Sequence, residues 1–131
     1  MKKLLPTLLA LLLFCLALPC ASAADVTPSP QKLSVDGTDA DCDKYNIDGS
    51  NYFKLRDLAY LLSKSDSRFS VAFDAESNAV TVVPGGDYVP VGGELERGKD
   101  LSKTAVASKQ SVLINGEAVE GISVYNIGGN N

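Results

Sequence analysis

The sequence contains no histidine, no tryptophan, one methionine and three cysteines. Without histidine it lacks the commonest protein ligand for transition metals and the side chain that most often moves protons near neutral pH. A serine nucleophile would have no imidazole base, and no serine sits in a Gly-x-Ser-x-Gly elbow. Basic residues are also sparse. Two of the twelve, Lys2 and Lys3, lie in the first 23 residues, which carry none of the sixteen acidic residues, so the remainder has a formal net charge of −6. An acidic chain with no basic cluster offers little to nucleic acid or to an anionic membrane surface.

Long apolar runs are nearly absent too. The one exception, Leu4 to Leu18, spans about 15 residues, short of the ~20 that a membrane-crossing helix needs. Lys2 and Lys3 precede it and Ala21-Ser22-Ala23 follows. That order is the pattern of an exported protein's signal peptide, 1–23, cleaved after Ala23. Cys15 and Cys20 would leave with it; Phe14 and Pro19 stand before them, where lipoprotein processing expects a small residue. Cys42 then remains alone, either as a small buried hydrophobe or as a partner in an intermolecular disulfide.

What is present divides into short patterned segments. Residues 24–30, with Thr27-Pro28-Ser29-Pro30, show no apolar periodicity and read as a flexible leader. Leu33 and Val35 alternate with polar residues up to Asp36-Gly37, which predicts a hairpin continuing through Cys42 to Ile47. Ala40 and Cys42 are out of phase with Tyr45 and Ile47, which calls for a β-bulge between Cys42 and Tyr45. After the turn Asp48–Asn51, Leu55, Leu58, Ala59, Leu61 and Leu62 recur at helical spacing and predict one helix over about Lys54 to Ser63. It is too short to persist without a sheet beneath it. Phe69-Ser70-Val71-Ala72-Phe73 and Ala79-Val80-Thr81-Val82-Val83 predict a second hairpin. Asp87 to Ser108 reads as connecting chain that packs in part through Tyr88, Val89 and Val91.

The opening pattern then returns. Val112, Ile114, Asn115 and Gly116 match Leu33, Val35, Asp36 and Gly37 at an offset of 79, and Tyr125, Asn126, Ile127, Gly129 and Asn131 match Tyr45, Asn46, Ile47, Gly49 and Asn51 at an offset of 80. Such self-similarity marks an internal repeat. The second copy holds a hairpin, Gln110–Ile127, without a helix of its own, and should add strands to the first unit's sheet or pair with another chain. The expected fold is α+β: an antiparallel sheet built from hairpins wrapped around one helix, with a trailing hairpin from an incomplete second repeat. The units fall at 31–95 for the first, 96–109 for a connector and 110–131 for the second.

Candidate chemistry is thin. Asp39, Asp41 and Asp43 alternate, but a calcium loop needs glycine and a carboxylate where Lys44 and Ser50 stand, so they read as a solvated strand face. Asp74 with Glu76, and Glu94 with Glu96, have no spacing that argues for a glycosidase cleft. No catalytic, cofactor-binding or metal-binding residue is assigned. Tyr52, Arg56, Tyr60 and Tyr88 form the candidate interaction surface, with Arg56 either an anion site or a stem packed over the turn at Asp48–Asn51.

The run Tyr45-Asn46-Ile47-Asp48-Gly49-Ser50-Asn51-Tyr52-Phe53-Lys54-Leu55-Arg56-Asp57-Leu58-Ala59 resembles the copper amine oxidase N-terminal-like, or stalk, domain of exported bacterial proteins. The likeness extends through Phe69–Val83 and Tyr88-Val89-Pro90-Val91-Gly92-Gly93-Glu94-Leu95. It implies a sheet of about five strands around one helix, acting as an accessory module. In the full oxidases, copper is held by histidines of a separate domain, and a tyrosine between an asparagine and an acidic residue becomes the quinone. Here Phe53 follows Asn51-Tyr52 and histidine is absent, so neither role carries over. The expected role is a secreted, non-catalytic stalk, spacer or protein-interaction module at the bacterial cell envelope, with no cofactor. Its partner would be an extracellular protein or a cell-wall polymer, or a second copy paired through the trailing hairpin. A cell-wall glycan- or peptide-binding module is the alternative, and an accessory domain of an extracellular enzyme supplied by another chain is a remote one.

Overall fold

The computed structural model describes residues 23–131. All of the expected signal peptide except Ala23 lies outside the described residues. Among the described residues the fold is α+β, mostly antiparallel strands with a single α-helix.

Two-residue turns set the first unit. Strands β2 (Leu33–Val35) and β3 (Thr38–Ala40) meet across Asp36-Gly37, and β4 (Lys44–Ile47) and β5 (Ser50–Phe53) across Asp48-Gly49. All four turn residues have positive φ, between 49° and 89°. This is the tight turn whose twist matches that of paired strands, and it favours Asp or Asn followed by glycine. The expected bulge between Cys42 and Tyr45 does not form. The chain instead leaves the β2–β3 hairpin at Ala40 and enters a different sheet at Lys44. The break resets side-chain parity, so Cys42, Tyr45 and Ile47 are all buried.

The 24–30 segment is not a free leader. Its residues Val26–Pro28 form strand β1, antiparallel to β4, with Val26 opposite Ile47 and Pro28 opposite Tyr45. The Ser29 N–H donates to the Lys44 carbonyl at 2.8 Å, and the Asp48 N–H to the Asp25 carbonyl at 3.0 Å. Proline is tolerated because β1 is an edge strand. Paired backbone, rather than apolar periodicity, orders this stretch.

Helix α1 (Leu55–Leu62) follows β5 directly. Of its expected apolar stripe, Ala59 is fully buried and the four leucines are half-buried. Asp57 is buried beside Ala59, at 1% exposure. The hydroxyls of Ser63 and Ser65 donate to the Tyr60 and Leu62 carbonyls, satisfying acceptors that the helix end leaves open. Strands β6 (Phe69–Asp74) and β7 (Ala79–Pro84) form the expected second hairpin over six residue pairs.

The second copy docks on that hairpin. Strand β8 (Val106–Ala107) comes first, then β9 (Ser111–Ile114) and β10 (Glu117–Ala118) across the Asn115-Gly116 turn, then β11 (Tyr125–Asn126). Strand β9 lies parallel to β7, with Val80 opposite Val112 and Val82 opposite Ile114, giving the sheet order β10-β9-β7-β6. The trailing hairpin thus extends the first unit's sheet. It is shorter than Gln110–Ile127, because Tyr125 and Asn126 pair with β8 and not with β9. The 96–109 connector therefore carries a strand of the second copy, as 24–30 carries one of the first.

Candidate functional site

The repeat is written in hydrogen bonds as well as in residues. In the first copy the Asn46 carboxamide oxygen accepts from the Gly49 N–H, Asn46 Nδ2 donates to Asn51, and Asn51 Nδ2 donates to Gln31. In the second copy Asn126 accepts from the Gly129 N–H, Asn126 Nδ2 donates to Asn131, and Asn131 Nδ2 donates to Gln110. The Ser29 N–H donates to the Lys44 carbonyl at 2.8 Å; the Ser108 N–H donates to the Val124 carbonyl at the same distance. Strands β1 to β4 thus correspond to β8 to β11. The matches Ser29/Ser108 and Gln31/Gln110 carry the repeat past the point where the apolar pattern fades, and they were the available sequence signal for β1 and β8.

The first copy's connecting chain is stitched onto the helix start. The Asp57 carboxylate accepts the Leu95 N–H at 2.9 Å and pairs with Lys54 Nζ at 3.2 Å. Lys54 Nζ also donates to the Gly93 carbonyl at 2.7 Å. Tyr88 is buried, and its hydroxyl donates to Glu94 Oε1 at 2.7 Å; the Val91 and Gly92 N–H groups donate to the same carboxylate at 2.7 and 2.9 Å. Burial first, and the bond to Glu94 second, push the Tyr88 phenol up to about 12. The Tyr88 hydroxyl and the backbone N–H groups hold Glu94 down at about 2. Further on, the Tyr45 hydroxyl donates to the Lys99 carbonyl at 3.2 Å and accepts from the Leu101 N–H at 3.1 Å. Asp41 pairs with Arg97, and Asp43 accepts the Gly98 N–H at 3.4 Å. Asp39 and Asp41 are exposed, as a solvated face requires, while Asp41 and Asp43 also reach across to the connecting chain. Val89 and Val91, expected to pack, are 74% and 61% exposed, since Tyr88 and Glu94 hold this turn by hydrogen bonds instead.

The candidate interaction residues do not converge. Tyr88 is buried with its hydroxyl engaged, so it offers no stacking face. Tyr52 is half-buried and meets Tyr125 edge-to-face at 5.3 Å. Arg56 and Tyr60 are exposed, and only Tyr52 of the four lines the main cleft. Sequence reasoning missed Asp57 as a buried anchor; the Lys54/Asp57 spacing at the helix start was its one visible trace.

The main cleft, of about 620 Å³, opens between the helix start, the connecting chain and the second copy. Tyr52, Val80, Leu101 and Val112 line one part, Ile122, Tyr125 and Ile127 another, with Asp43, Lys54, Glu96, Arg97 and Lys99 adding charge. At the seam, the Leu55 N–H donates to the Asn131 carbonyl at 3.2 Å, giving the first turn of α1 an acceptor that no side chain of its own supplies. Among the described residues, no three His, Cys, Asp or Glu side chains gather in an arrangement that could hold a metal ion.

Among the described residues, fold and site together define an α+β module of two interlocked units with an apolar cleft at their seam. Compared with protein-family models, curated proteins and solved structures, the chain matches none.

Proposed function

We propose that the protein is an exported, non-catalytic stalk or protein-interaction module of the bacterial cell envelope. The observation that carries this reading is the seam. The second copy completes the first unit's sheet through β9 on β7, and Asn131 completes the end of its helix. Units that finish one another make a continuous, directed body, which suits a spacer or an assembly surface. The residues around the cleft support the same reading. Of its carboxylates, Asp57 is engaged by the Leu95 N–H and Lys54 and Asp43 by the Gly98 N–H, and among the described residues no nucleophile–base pair faces it.

Export rests on the sequence pattern of residues 1–23 and kinship on the likeness to stalk domains. The glycan-binding alternative draws less support, since Tyr88 is buried and Tyr52 is held against Tyr125. Titration calorimetry with Cu(II) and an amine-oxidation assay on the purified chain test the reading. No stoichiometric copper uptake and no turnover are expected; tight copper binding or amine oxidation overturns it.

A further inference from the structure

An open sheet edge is a place where another chain can add a strand, and proteins blunt such edges with proline, charge or brevity. Edge strand β1 carries Pro28, and β10, at one edge of the four-stranded sheet, is two residues long and bears Glu117. Strand β6, at the other edge of that sheet, has none of these devices. It runs six residues, has no proline, no glycine and no charge before Asp74, and among the described residues it pairs with β7 alone. Its second half, Ala72 to Asp74, is exposed, with Phe73 at 49%.

The hydrogen-bond phase of this edge is fixed from inside the sheet. The Gly85 N–H donates to the Arg68 carbonyl at 2.8 Å, so Arg68 and every second residue after it turn their backbone groups toward β7. Opposite Val71, the Val82 carbonyl is turned away from β6 and accepts the Asn115 N–H at 3.1 Å. Phe69, Val71 and Phe73 therefore present their backbone groups outward, and no described residue accepts from their N–H groups.

We infer that β6 is a self-association edge, pairing antiparallel with β6 of another molecule of this protein about a two-fold axis at Val71. Centred there, Phe69 falls opposite Phe73, and Val71 opposite Val71, so the outward groups of the two strands exchange backbone hydrogen bonds at every pair. A shift of one residue would set outward-facing groups against inward-facing ones. The same register sets Arg68 of each molecule against Asp74 of the other, twice, in the non-bonded pairs where side chains come closest. Phe69 and Phe73 meet on the opposite face of the strand. Both charges are available. Arg68 meets Asp87 through Nε at 3.2 Å, which leaves its terminal nitrogens, and the Glu76 N–H and the Ser77 hydroxyl hold the Asp74 carboxylate at the strand end, at 3.0 and 2.6 Å. Phase, charge and aromatic spacing thus specify the same occupant, a second molecule of the same sequence. The inference rests on the assembly-surface reading and names its partner.

Six paired residues make a small interface, so the dimer is weak, with a Kd in the micromolar range or above. Sedimentation equilibrium of the full chain, over a series reaching about 1 mM, is expected to show a monomer–dimer equilibrium. Hydrogen exchange at the Phe69, Val71 and Phe73 amides should slow as concentration rises. Arg68→Glu and Asp74→Arg each set like charges opposite one another at both ends of the pair, and each is expected to weaken the dimer about tenfold or more. Mixed in equal amounts, the two variants present opposite charges to each other, and dimers should return. Should Asp74→Arg fail to fold, Arg68→Glu set beside Arg68→Lys, which keeps the charge and should keep the dimer, decides the matter. A chain monomeric throughout the series overturns the inference. So does a dimer whose protected amides lie elsewhere, one that Arg68→Glu leaves intact, or two folded variants that do not pair when mixed. A chain that oxidises amines fails as a non-catalytic module whatever its oligomeric state; one that is inert and monomeric fails only here.

Discussion

Asp57 is the one charged side chain buried among the described residues, at 1% exposure, and it joins the first turn of α1 to the connecting chain. Asp57→Ala removes the acceptor of the Leu95 N–H and the partner of Lys54 together. An orphaned, part-buried N–H costs about 1–3 kcal/mol. Loss of a carboxylate from the first turn adds ~0.3–1 kcal/mol through the helix dipole. The Lys54 side chain is 20% exposed and keeps its bond to the Gly93 carbonyl, so its ammonium is not stranded, and the full ~3–5 kcal/mol for breaking a buried pair does not apply. The expected loss is therefore about 2–3 kcal/mol, a large share of the ~5–15 kcal/mol that a domain has. Asp57→Asn keeps an oxygen for Leu95 and is expected to cost roughly half as much, about 1–1.5 kcal/mol, on the same hydrogen-bond scale. Urea unfolding at neutral pH gives both values, and hydrogen exchange at the Leu95 amide reports whether the connecting chain has come loose. If Asp57→Ala lies within about 0.5 kcal/mol of the parent, as for an ordinary surface change, the anchor reading is wrong.

Other perturbations probe the seam and the ionisable groups. Glu94 is held at about 2 against an ordinary 4.5, so its contribution to stability is complete above pH 4.5 and is lost as pH falls toward 2. Tyr88, raised from 10 to about 12, contributes fully below pH 10 and progressively less up to pH 12. Melting temperatures of Glu94→Gln and Tyr88→Phe across these two windows should show a flatter acid limb and a flatter alkaline limb than the parent. Truncation after Ser108 uncovers the β7 edge, where Val80 and Val82 are 7% and 9% exposed, and should cost more than ~2 kcal/mol; an unchanged thermal midpoint would mean the second copy does not dock. Cys42 is buried and its thiol is raised, by burial first and the Asp57 charge second, so a thiol reagent at pH 8 should label it slowly until urea is added. A disulfide-linked dimer on a non-reducing gel would contradict this.

The parts of the fold written in local chemistry were legible. The Asp-Gly turns, the β6–β7 alternation and the apolar period of α1 each follow from short-range sterics and burial, but Ser50–Phe53, expected as turn and helix approach, is strand β5 because Asp48-Gly49 alone closes the turn. The internal repeat was legible in part. Its apolar pattern located β9 and β11, but β1 and β8 were hidden, because Val26–Pro28 and Val106–Ala107 are ordered by backbone pairing and carry almost no side-chain pattern. The phase conflict between Cys42 and Tyr45 was visible, but its resolution, a change of sheet, depends on contacts distant in sequence. The candidate surface suffered for the same reason. Exposure of Tyr88 could not be judged without knowing that Glu94 folds back to accept its hydroxyl, and nothing in the helical pattern distinguishes a buried Asp57 from a solvated one.

The parallel pairing of β7 with β9 has a mechanical consequence. Tension applied between the two ends of the chain draws β7 back by its leading end and β9 forward by its trailing end, so the two strands are pushed past one another. Every hydrogen bond between them then bears load at once. The antiparallel pair β1–β4 behaves differently, since Val26 and Ile47 lie at the same end of it and tension opens that pair one bond at a time, like a zipper. Under pulling, β1 should peel away early, and the seam between the two copies should be the last part of the strand framework to give.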